Sequence, residues 1–332
     1  MWSSSSSFCL GQETLLQRQN ELSAFPGVLE SIGNTPLVQL RRVVPKGSAR
    51  VLVKLEFCNP TGGMKDRVAK AMVEAAEADG RLRPGGTVVE YTGGTTGVSL
   101  ALVCAAKGYK SKLVFSDAFS DEKRLTMQAF GAQVVDVKSD NKKITESLIK
   151  KMVETARQLS QQPGHWFCNQ LSNSDGLAGY YPLGEEICSQ TGRKVDAFVQ
   201  SVGTAHSIHG VTLALRKHKP DLNVAAVEPA ESAVLSGKPS GSHYIEGIGI
   251  GYIPPLWNPK LVNEIIPVST QEAKHMARRL AREEALFVGT SSGANVVGAL
   301  RVAERLGPEA TIATIMVDSG LRYLSTDLLR SD

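Results

Sequence analysis

From about residue 51 to residue 317, short apolar runs alternate with helical stretches, and most of the joints are turns carrying glycine. Residues 51–55, 87–90, 112–116 and 132–137 read as strands, and helical patterns cover 66–78, 98–106, 121–130 and 144–159. The alternation resumes with strands over 195–202 and 224–227, helices over 207–217, 270–284 and 292–306, and a last buried strand over 311–317. Parallel strands need a crossover and a helix is the usual one, so this order predicts an α/β fold with mainly parallel sheets covered by helices. A turn and strand at 32–38 precede the first unit, and the polar stretch 231–267 carries few periodic signals. The expected organisation is an N-terminal tail over 1–26 with one short helix near 13–23, a smaller α/β domain over 47–170, and a larger one built from 27–46 and 171–332. Ligands in such folds sit at the carboxyl ends of the strands, where the glycine turns fall.

An apolar content of 42% and a charged content of 21% place the chain among soluble globular proteins. The net charge of +4 comes without a long Lys/Arg block, which argues against nucleic acid as a partner. Cys9, Cys58, Cys104, Cys168 and Cys188 are scattered and form no CxxC pair, so neither a disulfide framework nor a metal site is expected. Reduced thiols suit a cytoplasmic protein. No apolar run reaches transmembrane length, so no membrane partner is expected. The Ser-rich start lacks the basic and apolar regions of a signal peptide. Arg18 is its one basic residue, opposed by Glu13 and Glu21, so it reads as a tail rather than a transit peptide.

Several turns are candidates for chemistry. Asn59-Pro60-Thr61-Gly62-Gly63-Met64-Lys65-Asp66-Arg67 joins a strand to a helix. A lysine at such a junction is either a surface residue at a helix start or a buried amine nucleophile. Gly203-Thr204-Ala205-His206-Ser207-Ile208-His209-Gly210 is an ordinary strand–helix loop or a phosphate cup, made of free helix amides with the hydroxyls of Thr204 and Ser207. Ser291, in Gly289-Thr290-Ser291-Ser292-Gly293-Ala294, falls where a serine is most often a helix cap.

Taken in order, these segments resemble fold-type II pyridoxal phosphate enzymes of the cysteine synthase and cystathionine β-synthase family. The likeness extends to Gly247-Ile248-Gly249-Ile250-Gly251 and to Asp318-Ser319-Gly320 with Arg322-Tyr323-Leu324-Ser325-Thr326, and spans about residues 27 to 326. It implies two α/β domains with a tryptophan synthase β-like fold, pyridoxal 5'-phosphate as cofactor, and a homodimer. Lys65 would be the Schiff-base lysine. Gly203, Thr204, Ala205, His206 and Ser207 would hold the cofactor phosphate, with His206 either adding a donor or pointing to solvent. Ser291 would face the pyridine nitrogen, where a neutral hydroxyl moderates the electron sink and suits β-elimination chemistry. Thr95 would contact the ring oxygen, and Gly247 would lie beside the substrate.

The departures from the family pattern concern the substrate. Thr92-Gly93-Gly94-Thr95-Thr96-Gly97 stands where the family has Thr-Ser-Gly-Asn-Thr-Gly, and Trp166 stands in the place read as that of a carboxylate-binding glutamine. Either the carboxylate clamp is rebuilt around Gly93 and Trp166, or backbone amides including Gly94 act with the hydroxyls of Thr92 and Thr96. The resemblance implies β-replacement on an activated L-serine such as O-acetylserine, through an aminoacrylate, with a small nucleophile adding to give cysteine or another β-substituted alanine. The alternative is a lyase that releases a keto acid and ammonia. A cofactor-binding protein acting through a partner is a third reading. The absence of a Cys/His pair ahead of residue 165 and of an added C-terminal domain favours the cysteine-synthase-like form.

Overall fold

The computed structural model describes residues 24–329; the expected helix near 13–23, Cys9 and most of the expected tail lie outside them. The strands are β1 (Leu37–Gln39), β2 (Arg50–Leu55), β3 (Thr87–Tyr91), β4 (Lys110–Ser116), β5 (Gln133–Val137), β6 (His165–Phe167), β7 (Ala197–Ser201), β8 (Asn223–Pro229), β9 (Glu264–Val268) and β10 (Thr311–Met316). The helices are α1 (Lys65–Ala78), α2 (Thr95–Lys107), α3 (Asp121–Ala129), α4 (Glu146–Leu159), α5 (Tyr181–Gln190), α6 (His206–Arg216), α7 (Thr270–Glu284) and α8 (Thr290–Leu306).

The strands form two sheets, a six-stranded one in the order β1-β2-β10-β7-β8-β9 and a four-stranded one in the order β5-β4-β3-β6. Every pairing is parallel except that of β1 with β2, so the α/β fold expected from the alternation is the one observed. β3, β7 and β10 are buried along their whole length, Glu90, Gln200 and Thr314 included, which explains why they lack the alternation of a half-exposed strand. Three short elements escaped the sequence reading. β6 is only three residues long, β9 ends the polar stretch and carries Pro267, and α5 opens with Pro182 in its first turn.

The expected domain boundary at residue 47 needs correction. β2 belongs to the larger sheet, paired with β10 in register Thr311↔Arg50 through Met316↔Leu55 and with β1 on its other edge. β1 directly precedes it in the chain, but β10 comes from the far end, and no local signal marks that pairing. The chain passes from the larger sheet to the smaller one after β2, through the turn that carries Lys65.

Candidate active site

Lys65 is fixed by the end of β10. The Met64 amide donates to the Val317 carbonyl at 2.9 Å, and Gly63 forms a bridge with Asp318. Lys65 then opens α1, and Asp66 locks the turn by accepting from the Thr61 amide (2.8 Å) and from the hydroxyls of Thr61 (2.5 Å) and Ser99 (2.6 Å). Burial lowers the Lys65 ammonium pKa to about 8 against the opposing pull of Asp318, so a neutral, nucleophilic fraction is accessible near pH 7.

Two adjoining cavities meet at Lys65, Thr95, Gly203, Thr204 and Gly247. One, of about 70 Å³, is also lined by Tyr91, Gly93, Thr96, Phe119 and Gln170. The other, of about 20 Å³, includes Ser207, Ser291, Glu246 and Asp318. Residues after the carboxyl ends of β3 and β6 face those after β7 and β10, so the two sheets jointly form the cleft.

Of the residues singled out in the sequence, Lys65, Gly93, Thr95, Thr96, Gly203, Thr204, Ser207, Gly247 and Ser291 line these cavities. Five do not. Thr92 is buried, and its hydroxyl oxygen accepts from the amides of Gly94 (2.8 Å) and Gly97 (2.9 Å), holding the loop in shape. Gly94 has φ +116°, and a Cβ there would fall on the Lys123 side chain. Ala205 is buried at φ 70°, a conformation for which glycine is the usual choice.

His206 neither faces solvent nor adds a donor to the cup. Its Nε2 lies 2.7 Å from the Asn173 carbonyl, which can only accept, so Nε2 carries the proton. Nδ1 is then the acceptor for the Thr204 hydroxyl at 2.8 Å. Burial lowers the His206 pKa to about 4, in keeping with a neutral ring.

Trp166 also has to be corrected. It sits in the middle of β6, buried in the core, with the Arg81 guanidinium 5.9 Å above its ring. Gln170, four residues on and past the end of the strand, reaches the cavity instead. Its amide N–H donates to a side-chain oxygen of Glu90, its Nε2 donates to the Tyr91 carbonyl (2.9 Å), and its Oε1 accepts from Thr96 Oγ1 (2.7 Å). The polar run Asn169-Gln170 directly after an apolar strand was the signal available in the sequence.

The donor set suits a phosphorylated aldehyde. The first amides of α6 have no acceptor within the helix. Ser207 Oγ accepts from Gln200 Nε2 at 3.3 Å, which leaves its own proton to give. At Gly203 a Cβ would run into the Gly247 carbonyl, so only glycine leaves the cradle this narrow. An amine, an anion cup and a neutral hydroxyl at Ser291 all open on one cavity.

Residues 28–318 match the family described as "Pyridoxal-phosphate dependent enzyme". The chain belongs to that family. Within it, the chain is 40% identical to the cysteine synthase of Staphylococcus aureus over 307 residues, 92% of this chain and 97% of that protein. The O-acetyl serine sulfhydrylase isoform 3 of Entamoeba histolytica superposes with a TM-score of 0.85 at 38% identity, covering 94% of this chain and 93% of that one. The O-acetylserine dependent cystathionine beta-synthase from Helicobacter pylori gives a TM-score of 0.87 at 30% identity, over 93% and 100% of the two chains. This pyridoxal-phosphate dependent enzyme has, among the described residues, no helix long and apolar enough to cross a membrane.

Proposed function

We propose that the chain catalyses β-replacement on an activated L-serine such as O-acetylserine, exchanging the β-substituent for a nucleophile to give cysteine or another β-substituted alanine. The observation that carries the reading is the buried Lys65 amine, set between the amide cup at 203–207 and the neutral hydroxyl of Ser291. The relatives named above for cysteine synthesis and for use of O-acetylserine support it. Bound there, pyridoxal phosphate supplies the electron sink for charge developing at the substrate Cα. Ser207 and the amides at the start of α6 hold its phosphate, and Ser291 meets its ring nitrogen without forcing a proton onto it. Lys65 takes the proton from the substrate Cα, and its lowered pKa suits that work near neutrality.

The substrate carboxylate lies against Thr96, Gln170 and the loop amides around Gly93. Thr96 and Gln170 are oriented by their mutual hydrogen bond of 2.7 Å, so little ordering remains to be done on binding. Phe119 and Ile144 wall the cavity and exclude water. The reading extends to a homodimer in the cytoplasm, a setting that suits the free thiols of Cys58, Cys104, Cys168 and Cys188. The test is acetate release and product analysis with O-acetylserine and sulfide. Cysteine formation is expected. Pyruvate and ammonia formed at the same rate with and without sulfide would replace this reading by the lyase.

A further inference from the structure

Glu90 lies near the end of β3, wholly buried, and among the described residues no cation pairs with it. A carboxyl in that setting is costly, and burial raises its pKa to about 8. The amides of Gln170 and Tyr91 oppose the shift, and the Cys168 thiol and the Asn169 amide add to their pull. An apolar side chain would fill the same space without that cost, so packing does not account for the residue.

The carboxyl sets the exit of β6. The backbone bonds between β3 and β6 end with the Cys168 amide on the Val89 carbonyl at 2.9 Å. Asn169 then turns the chain at φ 52°, a conformation that asparagine tolerates better than most residues. Past that turn the Gln170 N–H meets one Glu90 oxygen at 2.9 Å, and the other oxygen accepts from the Tyr91 N–H at 2.9 Å. The residues so held are the ones that aim the Gln170 side chain. Its Nε2 donates to the Tyr91 carbonyl and its Oε1 accepts from Thr96. Turning the side-chain amide over would put Oε1 against the Tyr91 carbonyl, so its orientation is fixed. Nε2 carries two hydrogens, and the second is left for the cavity that Tyr91, Thr96 and Gln170 all line.

Building on the β-replacement reading, which makes the substrate an α-amino acid, we propose that Glu90 is the positioning residue of the carboxylate site. It holds the Gln170 and Tyr91 amides so that the second Nε2 hydrogen of Gln170 meets the substrate carboxylate. Glu90 touches no substrate itself. Without it the two amides face no acceptor, the turn at Asn169 relaxes, and the Gln170 side chain has to be ordered afresh on each binding. The effect falls on recognition of the carboxylate and not on the cofactor, because Ser207 and Ser291 are held at the starts of α6 and α8.

The test titrates holoenzyme with L-alanine and with ethylamine, followed by the absorbance of the cofactor. The two differ by the carboxylate alone, and neither needs a leaving group. Wild type should prefer L-alanine, and Gln170→Ala should cut the affinity for it by about tenfold, the worth of one charge-assisted hydrogen bond. Glu90→Leu should do the same. Glu90→Gln, which keeps the shape and one acceptor, should lose about threefold, and it carries the test alone if Glu90→Leu does not fold. Affinities for ethylamine and for pyridoxal phosphate should be unchanged in each. In a Gln170→Ala background Glu90→Gln should have no further effect, because no side-chain amide is left to position. With O-acetylserine and sulfide, KM should rise by the same factors while kcat holds. Equal losses for L-alanine and ethylamine, weaker cofactor binding, or additive losses in the double variant would make Glu90 a structural residue and overturn the inference. Unchanged L-alanine affinity in Glu90→Gln would overturn it too. If L-alanine binding follows Glu90 as expected but O-acetylserine and sulfide release no acetate, the proposed function falls and this inference stands.

Discussion

Replacing His206 by glutamine isolates one buried titration. The ring is almost wholly buried between the Thr204 hydroxyl and the Asn173 carbonyl, and glutamine offers a similar donor and acceptor without a titrating group. The folded-state pKa is lowered by burial from 6.5 to about 4, with Lys65 and His209 adding to the shift and the Asn173 carbonyl opposing it. Between these values the unfolded chain binds a proton that the folded chain refuses, so stability is lost as the pH falls from 6.5 towards 4. At pH 5 linkage with these two values gives a loss of about 2 kcal/mol relative to pH 8. Urea unfolding at pH 8 and pH 5, on wild type and His206→Gln, measures this as a difference of differences in which the other groups cancel. The variant should be less pH-sensitive by about 2 kcal/mol, even if it is less stable at both pH values. Equal sensitivity in the two proteins would refute the neutral, double-bonded histidine. The cofactor supplies a second arm, because a phosphate dianion near His206 favours its protonated form. The difference should therefore shrink in holoenzyme relative to apoenzyme.

Ser291→Asp should keep the cofactor bound but hold the ring nitrogen protonated, slowing β-replacement by about tenfold, equivalent to ~1.4 kcal/mol in the barrier; unchanged kinetics would reduce Ser291 to a helix cap. Gly94→Ala puts a Cβ into the Lys123 side chain at φ +116°, and should cost about 1–3 kcal/mol in strain while unseating the Lys123–Glu246 pair, read by thermal melting. Glu186 meets buried Arg67 and Lys54, both at 2.8 Å; burial alone would raise its pKa, yet these cations hold it at about 2. Its stabilisation is thus complete above about pH 4.5 and lost only towards pH 2. Glu186→Gln should destabilise by about 3–5 kcal/mol in a urea titration at pH 7, because two buried cations then share only Glu56.

What the sequence disclosed, and what it withheld, follows from how local each determinant is. The order of strands and helices was legible because β3, β7 and β10 each carry a short apolar run and the long helices are bounded by glycine, by a turn or, at α7, by a Ser269–Glu272 capping box. That Lys65, Ser291, Gly203, Thr204 and Ser207 would share one cavity was legible because each lies in a turn at a strand's end. β2 was assigned to the wrong sheet because its parallel partner β10 lies at the far end of the chain, beyond any local signal. Trp166 was misread for a related reason: strand register aims its ring into the core, and the polar contact is made past the strand's end by Gln170. The departure at Gly93 has a partner that no spacing could reveal. A Cβ there would lie 3.1 Å from the Phe119 ring, so the missing serine hydroxyl and the aromatic wall occupy the same few ångströms. Phe119 also lines a neighbouring cavity of about 300 Å³, so the substitution that opens the substrate loop borders that space as well. The loop and the aromatic wall are therefore one feature of the site, and a change at Gly93 or Phe119 should register in the KM for the amino-acid substrate before it registers in the binding of the cofactor.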